Sequence, residues 1–118
     1  MNLTADPTIL LVDDEPPLLA RLARILVEIG IAEDSQRSAA SIAQAKLRSE
    51  GIVPTLALVD LGLPDGNGAE LIRWLRERDE SLPILVISAW STEEMILDAL
   101  RAGATGYVTM IALLLAAV

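Results

Sequence analysis

The sequence predicts an α/β fold, a doubly wound five-stranded parallel sheet with helices on both faces. Three observations point there. Apolar runs of four or five residues alternate five times with amphipathic stretches, a final apolar tail standing for the last helix. The runs are apolar throughout rather than at every second residue, as in strands buried on both faces. The spacers are short and carry Gly and Pro at their ends, so each run has room for one crossover helix before the next.

The elements follow in order. "TILLV" (Thr8–Val12) is the first buried strand. Pro16 and Pro17 suit a helix's first turn, where a missing N–H costs little. Leu18, Leu22, Ile25, Leu26 and Ile29 then recur at helical spacing, and Gly30 stops the helix. "IAEDSQ" (Ile31–Gln36) is a weak strand candidate, polar enough for a sheet edge, and a small alanine-rich helix is expected from about Ala39 to Ser49. "LALV" (Leu56–Val59) is the third strand, and a helix from about Ala69 to Arg78 places Leu71, Ile72 and Leu75 on one side. "ILVI" (Ile84–Ile87) is the fourth strand. Ser91 or Thr92 can cap the next helix, with Glu93 and Glu94 favoured in its first turn by the helix dipole. That helix should bury Ile96, Ala99 and Leu100 and end at Gly103, before a short last strand, "GYVT" (Gly106–Thr109). Right-handed crossovers then favour the flavodoxin-like order 2-1-3-4-5, with a functional crevice at the carboxyl ends of strands 1 and 3.

Composition narrows the chemistry. The chain has 118 residues, enough for one core, and 17 acids against 9 bases give a net charge of −8. Such a segment repels a phosphate backbone, so direct contact with nucleic acid is not expected. It has no cysteine and no histidine, which removes thiol chemistry, histidine bases and the usual zinc sites. The start, "MNLTADP", has neither the basic residues nor the apolar core of a signal peptide. The nine-residue apolar tail Met110–Val118 is far below the ~20 residues of a membrane span. The expectation is a cytoplasmic protein with no membrane association.

The residues after the buried strands carry the functional signal. Strand 1 ends in Asp13-Asp14-Glu15, strand 3 in Asp60, strand 4 in Ser88, and strand 5 runs to Thr109 and Met110. In the expected order these ends lie side by side, so three aspartates and a hydroxyl converge. Any one of those aspartates is readily a helix cap or a solvated loop residue. Together they would repel one another, an arrangement a fold tolerates when a cation sits among them. Oxygen donors without histidine suit a hard ion, Mg²⁺ or Mn²⁺. A strand-end carboxylate can also attack phosphorus and form an acyl phosphate. The following loop, "DLGLPDGNG", turns tightly on Gly62, Pro64, Gly66 and Gly68, although the last two glycines are explained equally by ordinary loop punctuation.

"ILLVDDEP", "LALVDLGLPDGNG", "ILVISAWS" and "AGATGYVT" together resemble the receiver domain of bacterial two-component response regulators, over nearly the whole chain and in the right order. The middle segment looks most like receivers of regulators that carry a C-terminal helix-turn-helix output domain. The expectation for residues 1–118 is a single receiver domain, with a short or truncated last helix and no output domain in this segment. The resemblance implies that Asp60 takes a phosphoryl group from a histidine kinase, and that Asp13 and Asp14 hold Mg²⁺, with Asp14 the direct ligand and the Gly62 carbonyl the loop ligand. It implies further that Ser88 bonds the phosphoryl oxygen and that Tyr107 is the aromatic switch, a residue equally explained as a half-buried strand aromatic. Such a chain is a switch that catalyses its own phosphorylation and dephosphorylation, not an enzyme in the turnover sense.

The chain departs from the family pattern at Met110 and in the residues after it, where the usual polar stretch is missing. Met110 stands where the pattern places a lysine, and methionine offers neither charge nor donor. The alternative is therefore a pseudo-receiver, an interaction module with phosphotransfer weakened or lost. An aspartate-based Mg²⁺ phosphohydrolase fits worse, because "VDDEP" has adjacent acids where that chemistry wants them two residues apart. Finally, Leu113, Leu114 and Leu115 in the tail span more of a helix than one core can take. A helix over Ile111–Val118 that pairs two copies through helix 4, strand 5 and this tail is the expectation; an output domain could cover it instead, and a frayed end needs no cover.

Overall fold

The computed structural model describes residues 7–88 and 91–109. Five parallel strands, β1 (Ile9–Val12), β2 (Gln36–Ala39), β3 (Leu56–Val59), β4 (Ile84–Ser88) and β5 (Gly106–Thr109), form one sheet in the order β2-β1-β3-β4-β5. This is the expected 2-1-3-4-5. The helices are α1 (Pro16–Glu28), α2 (Ile42–Arg48), α3 (Gly68–Arg78) and α4 (Glu93–Ala102).

The central strands are apolar throughout because both their faces are covered. In β1 all four residues are buried: Ile9 and Leu11 pack with Leu22 and Leu26 of α1, while Leu10 and Val12 join the larger core under α2, α3 and α4. Those helices bring Ile42 and Ala45, then Leu71, Ile72 and Leu75, then Ala99 and Ala102. β1 and β3 are adjacent, and the chain leaves them for opposite ends of the sheet, which opens the crevice at their carboxyl ends.

Four expectations are corrected. The second strand is not Ile31–Gln36 but Gln36–Ala39, after a 3₁₀ turn over Glu33–Ser35. As an edge strand it needs no apolar run; only Ala39 is buried in it. The second helix begins at Ile42 rather than Ala39, because the Ser41 hydroxyl accepts the Gln44 N–H and caps it there. Ile29 lies past the end of α1 and is 68% exposed. Leu100 is 42% exposed on the outer side of α4, with Met95 packed against the core instead. Thr92, one of two expected caps, accepts the Met95 N–H. Among the described residues no helix is long and apolar enough to cross a membrane. Met110 and the expected tail helix lie outside the described residues.

Candidate functional site: an acidic crevice at the strand ends

β1 and β3 run in register, Val12 beside Val59, so the residues that follow them emerge level. The Asp13 N–H donates to the Ala39 carbonyl at 3.0 Å and the Asp60 N–H to the Val12 carbonyl at 2.8 Å, extending the ladder one residue into the crevice. Ser88 ends β4 on the other side of β3, where Val59 pairs with Val86. The ligand oxygens of Asp13, Asp14 and Asp60 all lie within 4.8 Å of one another.

Helix capping does not explain these acids. Pro16 and Pro17 have no N–H to cap, and the N–H groups of Leu18 and Leu19 both donate to the Glu15 carbonyl. Asp13 Oδ1 accepts the Glu15 N–H at 2.9 Å, which fixes the turn, and Asp14 makes no hydrogen bond among the described residues. The three differ in exposure: Asp13 is 2% exposed, Asp60 is intermediate and Asp14 is open to solvent.

Electrostatics point the same way. Burial pushes the Asp13 carboxyl up to about 6, helped by the charges of Asp60, Asp14 and Glu15 and opposed by the Glu15 N–H. Burial also raises Asp60, with a further push from Asp14; the Gly62 N–H, the Ser88 hydroxyl and the Leu61 N–H oppose it. Ionising both Asp13 and Asp60 is therefore costly in the bare protein. A hard divalent cation offsets that cost, and an oxygen-only donor set of this spacing fits one.

The loop after Asp60 is built to a tight plan. Gly62–Leu63 pairs antiparallel with Gly66–Asn67, so the loop is a miniature hairpin. At its base the Gly68 N–H donates to the Leu61 carbonyl at 2.8 Å, and a Cβ on Gly68 would collide with the Asp60 carbonyl oxygen. Gly68 is thus more than the ordinary loop punctuation that explained it equally well from sequence. Asn67 caps α3 through Oδ1, which accepts the Ala69 N–H at 2.9 Å. At the tip, Asp65 reaches α2, accepting the N–H groups of Ile42 at 2.8 Å and Ala43 at 2.9 Å. Sequence reading passed over Asp65; an Asp inside a Pro–Gly turn was the only local signal, and its partners lie 23 and 22 residues away.

The crevice thus brings together Asp13, Asp14, Asp60 and Ser88, with Gly62 opening the loop beside Asp60 through an N–H 3.4 Å from Oδ1. Tyr107 stands one strand away on β5, paired with Val86, half-buried and packed against the larger core. Met110 lies outside the described residues.

Comparison with known proteins gives a consistent answer. Residues 9–110 match the family model described as the response regulator receiver domain. The photosynthetic apparatus regulatory protein RegA of Cereibacter sphaeroides is 36% identical over 108 residues, 92% of this chain and 57% of that protein. The DNA-binding transcriptional activator DevR/DosR of Mycobacterium tuberculosis is 44% identical over 70 residues, 59% of this chain and 32% of that protein. The chain thus spans little more than half the length of the first of these relatives and a third of the second. Among solved structures, a response regulator from Burkholderia pseudomallei with a phosphorylated aspartic acid, calcium ion and citrate superposes with a TM-score of 0.78 at 26% identity, covering 88% of this chain and 59% of that one.

Proposed function

The chain belongs to the response regulator receiver domains of two-component systems, and on that premise we propose that it is a phosphoacceptor switch with Asp60 as the acceptor. The observation that carries the reading is the cluster of Asp13, Asp14 and Asp60 within 4.8 Å, with Asp60 beside Ser88. A carboxylate oxygen of Asp60 attacks the phosphorus of a kinase phosphohistidine. The new O–P bond forms as the P–N bond breaks, and the imidazole nitrogen leaves with the electron pair. The related regulator carrying a phosphorylated aspartic acid supports this chemistry.

Asp13, Asp14 and Asp60 would hold Mg²⁺ or Mn²⁺, with the Gly62 carbonyl as a further ligand. Bound there, the cation supplies neutralisation of the charge developing on the phosphoryl oxygens. The Ser88 hydroxyl then bonds a phosphoryl oxygen instead of attending to Asp60, and Tyr107 follows it inward. That rearrangement alters the α4–β5 surface, where Leu97 and Leu100 are already 43% and 42% exposed. A homodimer through α4, β5 and the C-terminal segment is part of this reading, as is a cytoplasmic setting beside the kinase. So is control of transcription through an output domain, which the relatives' names support. Each event consumes one phosphoryl group on the protein's own side chain, so the chain is a switch and not a turnover enzyme.

Met110 favours a second reading, the pseudo-receiver. Acetyl phosphate decides between them, with labelling followed by intact mass. The wild type is expected to label slowly. Met110→Lys should label roughly 10²-fold faster, the scale on which one fixed donor contributes to a charged transition state. A wild type that stays unlabelled while Met110→Lys takes up label would establish the pseudo-receiver with Met110 as its cause; two unlabelled proteins would remove both the phosphoacceptor reading and Met110 as the explanation.

Metal binding makes a separate prediction. Mg²⁺ in hundredfold excess over its Kd should stabilise the wild type by about 2.7 kcal/mol, which is roughly 10–15 °C in Tm for a domain this small. Asp14→Asn removes one of three like charges and a ligand. It should melt at or above the metal-free wild type and lose most of the Mg²⁺ response. An equal response in both proteins would remove Asp14 from the site.

A further inference from the structure

We infer that Asp65 is a positioning residue, a clamp that fixes the loop from Asp60 to Gly68 against α2 and so sets how well the crevice holds a divalent cation. The inference rests on the phosphoacceptor reading for its purpose and on geometry for its substance. Asp65 sits at the tip of the miniature hairpin, in the turn Leu63–Pro64–Asp65–Gly66. Its two carboxylate oxygens divide their work: Oδ1 accepts the Ile42 N–H at 2.8 Å and Oδ2 the Ala43 N–H at 2.9 Å. These are the first two amides of α2, which have no partner within the helix. The amides of Ala43 and Ile42 hold the Asp65 carboxyl below the usual carboxylate range, so the clamp is an anion throughout the neutral range.

Local packing leaves the tip little freedom. Leu63 is buried in the same core as Ile42. Gly66, at φ +149, has no Cβ where one would press on Ile42 Cδ1 at 3.2 Å. The hairpin is thus fastened at its base by the Gly68–Leu61 bond and at its tip by Asp65, and Gly62 lies between the two fastenings. Releasing the tip frees the residue that stands next to Asp60. A group that orients a ligand from outside typically changes metal affinity 10- to 100-fold on removal.

Ser41→Ala is the matched control. The Ser41 hydroxyl accepts the next amide of the same helix, that of Gln44, and makes no hydrogen bond to the hairpin among the described residues. Both Asp65→Ala and Ser41→Ala should lower Tm by a few degrees, as lost caps do. Only Asp65→Ala should weaken Mg²⁺ binding, by roughly tenfold in Kd, and speed amide hydrogen exchange at Gly62 and Gly66 in metal-free protein. Asp65→Asn keeps one acceptor oxygen and should fall between. Equal Mg²⁺ affinity and equal loop exchange in Asp65→Ala and Ser41→Ala would reduce Asp65 to a helix cap and overturn the inference. A wild type that neither binds Mg²⁺ nor accepts phosphate sinks the phosphoacceptor reading itself. That failure is read separately, because the exchange comparison is made without metal and still decides whether the loop is clamped.

Discussion

Asp60→Asn is expected to lose phosphoryl uptake from acetyl phosphate by roughly 10³-fold or more, since an uncharged amide cannot replace a carboxylate nucleophile. The variant should remain folded. Asparagine has nearly the same shape, the Asp60 carboxylate is already raised by burial and by Asp14, and removing its charge relieves repulsion among the three acids. Tm at or above the wild-type value, together with absent label, separates loss of the acceptor from loss of the fold. Acyl phosphates are cleaved by hydroxylamine, so the wild-type label should be hydroxylamine-sensitive. Label that persists at full rate in Asp60→Asn would assign the phosphoryl group to another residue, and the exposed Asp14 would be the first to test.

Gly68→Ala should be the most damaging single change to the fold that this loop permits. The added Cβ would collide with the Asp60 carbonyl oxygen and would lie 2.9 Å from Leu61 Cα and 3.1 Å from the Asp60 carbonyl carbon. All three are backbone atoms and cannot rotate aside. The same residue donates to the Leu61 carbonyl at 2.8 Å, so moving it breaks the base of the hairpin. Overpacking of this kind costs about 3 kcal/mol, equivalent to a fall in Tm of roughly 10–20 °C for a domain this small. Gly62→Ala is the internal comparison. A Cβ there meets nothing within 4 Å, so its effect on stability should stay within about 0.5 kcal/mol. Thermal melts of the two variants side by side check the claim. Equal melts would mean that the hairpin yields at its base, contrary to the packing described.

The parts of the fold legible in the sequence are those whose cause is local. β1, β3 and β4 are apolar without alternation because the sheet is covered on both faces, and each ends where an acid or hydroxyl begins. That same ending disclosed Asp13, Asp14, Asp60 and Ser88, because a parallel sheet brings its carboxyl ends to one edge. β2 was displaced because an edge strand has one neighbour and can be polar, so "QRSA" carries no apolar signal. Ala39 looked helical in an alanine-rich stretch; it is buried as the last residue of a strand, and the cap at Ser41 decides where the helix begins. Leu100 and Ile29 matched helical spacing yet are exposed, since periodicity does not say where a helix stops or how far its stripe reaches the core. The tasks of Gly68 and Asp65 were hidden for another reason: each depends on a backbone group brought near only by the finished fold.

The central claim is that Asp60 accepts a phosphoryl group in a crevice that needs a divalent cation. The most direct measurement is the peptide-resolved mass of the wild-type chain after acetyl phosphate, with Mg²⁺ or with a chelator in its place. The account expects one phosphoryl group, on the peptide containing Asp60, with Mg²⁺ and essentially none with the chelator. Equal labelling under both conditions, or label confined to a peptide that lacks Asp60, would contradict it.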